Sequence, residues 1–223
     1  MKKEIEAFCC WSGGKESALS FYRAEGSGIH ITYLINMISE DGRYSRSHGV
    51  DSELLRSQGD SIGVPVLQYR TTWESYEVEF KRAISKVKEK RICVGVFGDI
   101  DLEEHRDWIE RVCKEMEVQP FLPLWKRKRE DLLIEFVEEG FKAILITVDS
   151  RFLGEQWLGR KIDKEFISDL MKMKKVDLCG ENGEYHSFVY DGPIFKKPVE
   201  FRVGEKRFRD NHWFLDLKCS KSF

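Results

Sequence analysis

Two short runs hold most of the chemistry-bearing residues of this 223-residue chain. The first, Ser12-Gly13-Gly14-Lys15-Glu16-Ser17, lies between an apolar stretch and an amphipathic one. A strand-to-helix turn of this kind presents unpaired backbone N–H groups and the positive end of a helix dipole to an anion. The glycines let the backbone come close, Ser12 and Ser17 offer hydroxyl donors, and Lys15 supplies a point charge. That is a cradle for phosphate, although it lacks the G-x-x-x-x-G-K-[ST] spacing of the kinase and GTPase loop. A Gly-rich turn with polar surface residues is the plainer alternative. The second run, Cys179-Gly180-Glu181-Asn182-Gly183-Glu184-Tyr185-His186, is too polar for a core and does not have the H-E-x-x-H spacing of a helical metal site. Its glycines permit a tight turn that could present Glu181, Asn182, Glu184 and His186 to a substrate; an exposed acidic hairpin is the alternative.

The elements that must position these runs follow from hydrophobic periodicity. Apolar strand-like stretches at residues 5–11, 29–38, 66–69 and 92–97 alternate with amphipathic stretches near 15–23, 52–62, 76–87 and 104–116, and residues 118–124 close the series as a loop or strand. Thr71 with Glu74, and Asp101 with Glu104, have capping-box spacing. This rhythm predicts an α/β fold, a doubly wound parallel sheet of about five strands with helices on both faces. Ligands of such sheets bind beyond the carboxyl ends of the strands, where the strand order reverses. The first run, and Gly98-Asp99-Ile100 after the fourth strand, both fall at that edge.

The charge run Lys126-Arg127-Lys128-Arg129 marks a boundary, with a nucleotide-binding domain at 1–125 and a substrate-binding subdomain at 126–223. It reads as a solvated linker, being too short and too poor in aromatic neighbours for an RNA platform. Beyond it come helices near 132–137 and 162–175, a strand at 143–148, and alternating stretches at 188–190, 194–195, 199–203 and 213–217. The last group predicts a small antiparallel sheet, making the second subdomain α+β.

Composition narrows the function. The chain carries 37 Lys+Arg against 39 Asp+Glu, a net charge of −2. That disfavours direct nucleic-acid coating and anionic-membrane binding, which require a large basic excess. Its apolar runs are far shorter than the roughly 18 residues that cross a bilayer, and Glu4 and Glu6 interrupt the Met1-Lys2-Lys3 start before any leader-like core. The expected location is the cytoplasm, with the six cysteines reduced and mostly buried as small hydrophobes. Trp73, Trp108, Trp125 and Trp157 read as packing residues, and His30, His105 and His212 belong to no constellation.

Residues 12–17 resemble the SGGKDS pyrophosphate loop of the N-type ATP pyrophosphatase superfamily, whose members activate a substrate as its adenylate and release pyrophosphate. Residues 179–193 resemble the GENGE(Y/F)H signature of the diphthine-ammonia ligases, and Gly98-Asp99-Ile100, Pro123-Leu124-Trp125, Gly140-Phe141 and Leu158-Gly159-Arg160 follow in that family's order. The resemblance spans the chain. It implies ATP-dependent amidation of the carboxylate of diphthine, a modified histidine of translation elongation factor 2, by free ammonium, giving AMP and pyrophosphate with Mg²⁺ as the metal. It further implies nucleotide contacts from Ser12, Gly13, Gly14, Lys15, Ser17, His48, Gly98, Asp99 and Ile100. Lys15, Ser17 and Glu184 are the expected catalytic set. Glu181, Asn182, Gly183, Glu184, Tyr185 and His186 are expected to hold substrate, the acids and the Tyr185 face meeting its trimethylammonium or ammonium charge. Glu16, the expected metal ligand, stands where the family pattern has Asp, and the extra methylene matters to a tight octahedral site. A different adenylating activity, such as tRNA modification, and a non-catalytic ATP-binding protein are the alternative readings.

Overall fold

Strand β1 (Ile5–Cys10) buries Ala7, Phe8 and Cys9 completely, which only a strand covered on both faces can do. Alternation sends Ala7 and Cys9 into one core and Phe8 into the other. The computed structural model describes residues 5–46 and 48–220. Met1 to Glu4, part of the N-terminal charge pattern, lie outside the described residues.

After β1 come α1 (Lys15–Gly26), β2 (Ile29–Ile38), α2 (Ser52–Ile62), β3 (Val66–Arg70), α3 (Tyr76–Lys88), β4 (Val94–Val96), α4 (Glu103–Glu115) and β5 (Gln119–Phe121). The five strands form one sheet in the order β3-β2-β1-β4-β5, and every neighbouring pair is parallel. This is the doubly wound α/β sheet that the sequence predicts. Leu19 and Ala18 of α1 and Leu54 and Leu55 of α2 fill the core on one face; Phe80, Ala83 and Ile84 of α3 and Ile109 and Val112 of α4 fill the other. The order reverses between β1 and β4, so the loops after these two strands border the crevice where such sheets bind ligands.

The remaining chain forms α5 (Arg129–Glu138), β6 (Lys142–Asp149), α6 (Lys164–Lys172), β7 (Tyr185–Asp191), β8 (Phe201–Arg209) and β9 (His212–Cys219). Its four strands make an antiparallel sheet in the order β7-β6-β9-β8. This sheet packs on the face of α1 and α2, and one buried cluster runs from Ala7 and Leu54 through Phe136 and Phe166 to Phe188 and Leu217. Among the described residues no helix is long and apolar enough to cross a membrane.

Several local expectations change. Helix α3 starts at Tyr76, later than a cap at Thr71 would put it; Thr72 and Ser75 instead trade hydroxyl and N–H hydrogen bonds, at 3.0 and 3.1 Å. Asp101 does not cap α4, because its carboxylate is taken by Arg129 Nε at 2.9 Å. The longer helix predicted over 162–175 is the nine-residue α6, which Asp163 caps by accepting from Phe166 N at 2.8 Å. Residues 194–195 form no strand, and β8 begins at Phe201.

Gln58 joins the two sheets. It is fully buried, accepts from Trp11 Nε1 at 2.8 Å, and donates through Nε2 to Gly13 O at 3.0 Å and Val189 O at 2.6 Å. Gln58→Leu keeps the volume and leaves a buried indole N–H and a β7 carbonyl without partners. Urea denaturation should show a loss of about 2–4 kcal/mol. A loss below about 0.5 kcal/mol would reject the joining role.

Candidate functional site

The phosphate-loop residues sit at the switch point. Gly13 adopts φ +82°, a left-handed conformation that favours glycine, and Gly14 caps α1 with no side-chain hydrogen bond. A methyl group on Gly14 would lie 2.7 Å from His48 Cε1 and 3.3 Å from Ser187 O, so any side chain here would have to displace the imidazole. Ser12 Oγ accepts from Gly14 N at 3.3 Å, and Ser187 Oγ accepts from Lys15 N at 3.2 Å. Both bonds are long for N–H···O and hold N–H groups of the kind a phosphate oxygen would take. Ser17 Oγ donates back to Gly14 O at 2.9 Å, the usual fate of a hydroxyl in a first helical turn.

The same loop is bonded to the second run. Gly13 O accepts from Val189 N of β7 at 3.0 Å, and the buried Lys15 ammonium donates to Cys179 O. Lys15 also pairs with Glu16 Oε1 at 2.5 Å and lies 4.6 Å over the Tyr185 ring. Burial by itself pushes this ammonium's pKa down; the Glu16 carboxylate leads the neighbours that more than reverse it, so Lys15 stays charged. The two motifs therefore face one cavity of about 430 Å³, lined by Ser12, Lys15, Glu16, Asp99, Glu181 and His186 among others.

Residues 177–184 are braced from within. Glu184 is buried, and its two oxygens accept from Asp177 N at 3.0 Å, Asn182 N at 3.1 Å and Asn182 Nδ2 at 3.1 Å. Asp177 in turn accepts from Cys179 N and Glu181 N, at 2.9 and 3.1 Å, and pairs with Arg129 at 2.7 Å. Gly180 and Gly183 have φ of +70° and +87°. The brace directs Glu181 into the cavity, where burial first and then the Glu16 carboxylate push its pKa up to about 7.

Two expected contacts take other forms. Ile100 is a core residue that does not line the cavity, because its side chain turns under the loop and packs near Leu19 and Leu124. The Tyr185 face is already covered by Lys15, and its hydroxyl donates to Leu178 O at 2.5 Å, so this ring is a support for the lysine. Gly98 packs against the first turn of α1, where an added Cβ would lie 3.2 Å from Glu16. Asp99 reaches the cavity and meets His105 Nδ1 at 3.0 Å; that hydrogen bond raises the His105 pKa. The sequence offered no signal for His105 beyond its six-residue offset from Asp99.

Trp73 also differs from expectation. It is 66% exposed, stacked on Tyr76 at 6.1 Å, and carries the Arg46 guanidinium 4.7 Å from its ring. Arg46, Trp73 and Tyr76 all line the cavity; Arg46 was not legible because its loop has no periodicity, and Trp73 and Tyr76 read in sequence as packing residues. His48 and His186, distant in sequence, stack with ring centroids 4.5 Å apart. Burial lowers both pKa values; His186 falls to about 4, with Lys15 and His212 contributing, and His48 feels His186 and Lys15.

No group of three or more His, Cys, Asp or Glu residues among the described residues is arranged to hold a metal ion. Magnesium needs no such cage, since it keeps most of its waters and uses one or two carboxylates with substrate phosphates. Glu16, Asp99 and Glu181 supply hard oxygen donors on the cavity wall, and the donor set fits that ion.

A glycine-rich strand-to-helix turn at the switch point of a doubly wound sheet is the arrangement found in nucleotide-binding α/β proteins. Family models describe residues 5–120 as a diphthamide synthase N-terminal domain and residues 128–222 as a diphthamide synthase C-terminal domain. The chain is 31% identical over 221 residues to the rat protein named diphthine–ammonia ligase, covering 87% of this chain and 82% of that one. It is 30% identical over 213 residues to the human protein of that name, covering 84% and 79%. A solved structure described as a predicted subunit of tRNA methyltransferase from Methanocaldococcus jannaschii aligns with 87% of this chain and all of its own, at 15% identity and a TM-score of 0.47. The chain belongs to the diphthamide synthase family.

The neutral imidazoles make a stability prediction. The native pKa values lie below the ordinary 6.5, so the unfolded chain takes up protons that the folded one refuses. Their contribution is complete above pH 6.5 and is lost as the pH falls towards about 4. The Tm should therefore drop between pH 7.5 and 5, with a shallower drop for His186→Asn. Parallel profiles for the two proteins would reject this assignment.

Proposed function

We propose that this chain is a diphthine–ammonia ligase acting in the cytoplasm: it joins ammonium to the carboxylate of diphthine on translation elongation factor 2, converting ATP to AMP and pyrophosphate. The observation that carries this reading is the physical union of the two motifs. The phosphate turn and the glutamate-rich loop are bonded through Gly13 O to Val189 N and through Lys15 to Cys179 O, and they face one cavity.

A carboxylate resists attack by an amine because its oxygen is a poor leaving group. Transfer to the α-phosphorus of ATP makes an acyl-adenylate, whose AMP leaves readily. In the first step the acceptor carboxylate oxygen forms a bond to phosphorus as the bond to pyrophosphate breaks. In the second, ammonium gives up a proton to become ammonia, whose nitrogen bonds to the acyl carbon as the carbon–oxygen bond to AMP breaks and a further nitrogen proton is lost to solvent. Charge accumulates on pyrophosphate in the first step and on the adenylate carbonyl oxygen in the second.

Each residue then has a task. The N–H groups of Gly14 and Lys15, now lightly held by hydroxyls, turn to the departing pyrophosphate together with the Ser12 and Ser17 hydroxyls. The Lys15 ammonium, already desolvated and fixed by Tyr185 and Cys179, needs little reorganisation to face developing negative charge. His48, over Gly14, and Asp99, beyond β4, border the nucleotide. Glu16, with Asp99 or Glu181, would hold magnesium, which when bound neutralises charge on the phosphates. Glu181 also presents a carboxylate to the ammonium or to the substrate's quaternary ammonium. Glu184 acts as a positioning residue through Asn182 and Asp177, in place of the catalytic part that the motif suggested.

The decisive experiment incubates the protein with ATP, Mg²⁺ and ammonium, with and without elongation factor 2 bearing diphthine, and follows AMP, pyrophosphate and the mass of the modified peptide. AMP that depends on the acceptor, with amide on the peptide, is the expected result. AMP without amide would point to another adenylated substrate, and bound but uncleaved ATP would point to a nucleotide-binding protein without this chemistry. Lys15→Ala should lower kcat about 100-fold or more while the Kd for ATP changes less than about tenfold. Equal losses in both would remove Lys15 from the chemical step. Glu16→Ala should raise the Mg²⁺ concentration needed for half-maximal turnover; an unchanged requirement would assign the metal to other carboxylates.

A further inference from the structure

A second and larger cavity, about 820 Å³, opens beside the nucleotide cavity, between the loop that follows β2 and the β8–β9 hairpin. The two cavities share four lining residues, Arg46, His48, Trp73 and His186. We propose that this outer groove receives the folded-protein segment that carries the acceptor side chain, and that the stacked His48 and His186 are the wall past which the side chain reaches the α-phosphate. The proposal rests on the ligase reading above and extends it to where the acceptor docks.

Three features of the wall support this. His48 Nδ1 and Arg46 Nε are buried without a hydrogen-bond partner among the described residues. A buried polar atom left unpaired costs about 1–3 kcal/mol, so two of them at one junction fit a surface completed by a ligand. Arg46 Nε carries a hydrogen at every ordinary pH, and neutral His48 can place its own on Nδ1, so both can donate to a passing carboxylate. Trp73, a large exposed aromatic, stands at the same junction with one face on Arg46. With Arg46 on its ring and Tyr76 stacked on it, the indole holds the guanidinium at the junction.

The rim identifies the kind of partner. Glu40, Asp41, Asp51 and Asp216 line the groove together with Arg46, Arg207, Arg209 and Lys218, so acids and bases are balanced, and Arg207 is paired with Asp216. A phosphate backbone requires a predominance of cations, whereas a protein surface is itself a mosaic of both signs and can match one. The volume also suits a polypeptide segment, being nearly double that of the nucleotide cavity. The acceptor carboxylate sits at the end of a side chain grown from a histidine ring. Its carrier must therefore dock within one extended side chain of the phosphate, and contiguity across the histidine wall meets that requirement.

The test separates docking from chemistry. Arg209→Glu and Lys218→Glu, at exposed positions of β8 and β9, reverse the rim charge without touching the nucleotide cavity. The double variant, with an unchanged Tm, should raise the KM for the acceptor protein at least tenfold and move the KM for ATP less than twofold. His186→Asn should lower kcat at saturating acceptor at least tenfold. Binding of the acceptor protein without ATP, measured by calorimetry, should weaken in the rim variant in step with its KM. An unaltered acceptor KM, or an equal rise in the KM for ATP, would overturn the groove. Wild-type protein that binds the acceptor through this rim but forms no amide would retain the groove and reject the ligase chemistry. Wild-type protein that neither binds nor turns over the acceptor would reject both. Rim-dependent binding of a tRNA in place of the protein would overturn the proposed occupant.

Discussion

The backbone of the phosphate turn is held by a strand from the other half of the chain, and the site depends on this contact. Gly13 O receives Val189 N, Gly13 and Val189 share the Gln58 amide, and Lys15 N rests on the Ser187 hydroxyl. A glycine pair on its own would be a floppy cradle, since glycine loses more conformational freedom on folding than other residues. Fixing it to β7 removes that freedom before any ligand arrives. The same bonds set the glutamate-rich loop at a defined distance from the phosphate turn, because β7 begins where that loop ends.

Electrostatics complete what the hydrogen bonds begin. Lys15 is buried yet charged, with Glu16 beside it, the Tyr185 ring beneath it and the Cys179 carbonyl at its tip. A buried cation without such neighbours would shed its proton. Its field is felt by His48 and His186, which remain neutral, and it opposes the proton uptake that burial and Glu16 favour on Glu181. The cavity thus combines the buried Lys15 ammonium, the Arg46 guanidinium, several carboxylates and the two uncharged imidazoles.

The boundary between the two family models lies near the turn joining β5 to α5, but the packing does not pause there. Arg129, which reads in sequence as part of a solvated charge run, bonds Asp101 after β4 and Asp177 before the glutamate-rich loop. It is a strut across the halves. Surface pairs such as Lys142 with Asp191 lie open to solvent and contribute little by comparison.

Local pattern alone determined the parallel sheet, its helices and the phosphate turn. The strand period, the helix period and a Gly-Gly-Lys turn are properties of neighbouring residues, and α2 and β2 begin and end where their patterns do. The likeness of two motifs determined the family. Tertiary structure decided which residues meet. His48 and His186 stack across 138 positions of sequence, Gln58 reaches Gly13 and Val189, and His105 finds Asp99. It also turned Glu184 and Tyr185 inward as supports and brought Trp73 out to the junction of the cavities. Periodicity reports which face of an element is buried but not what lies opposite, and a partner contributed by a distant loop leaves no local trace.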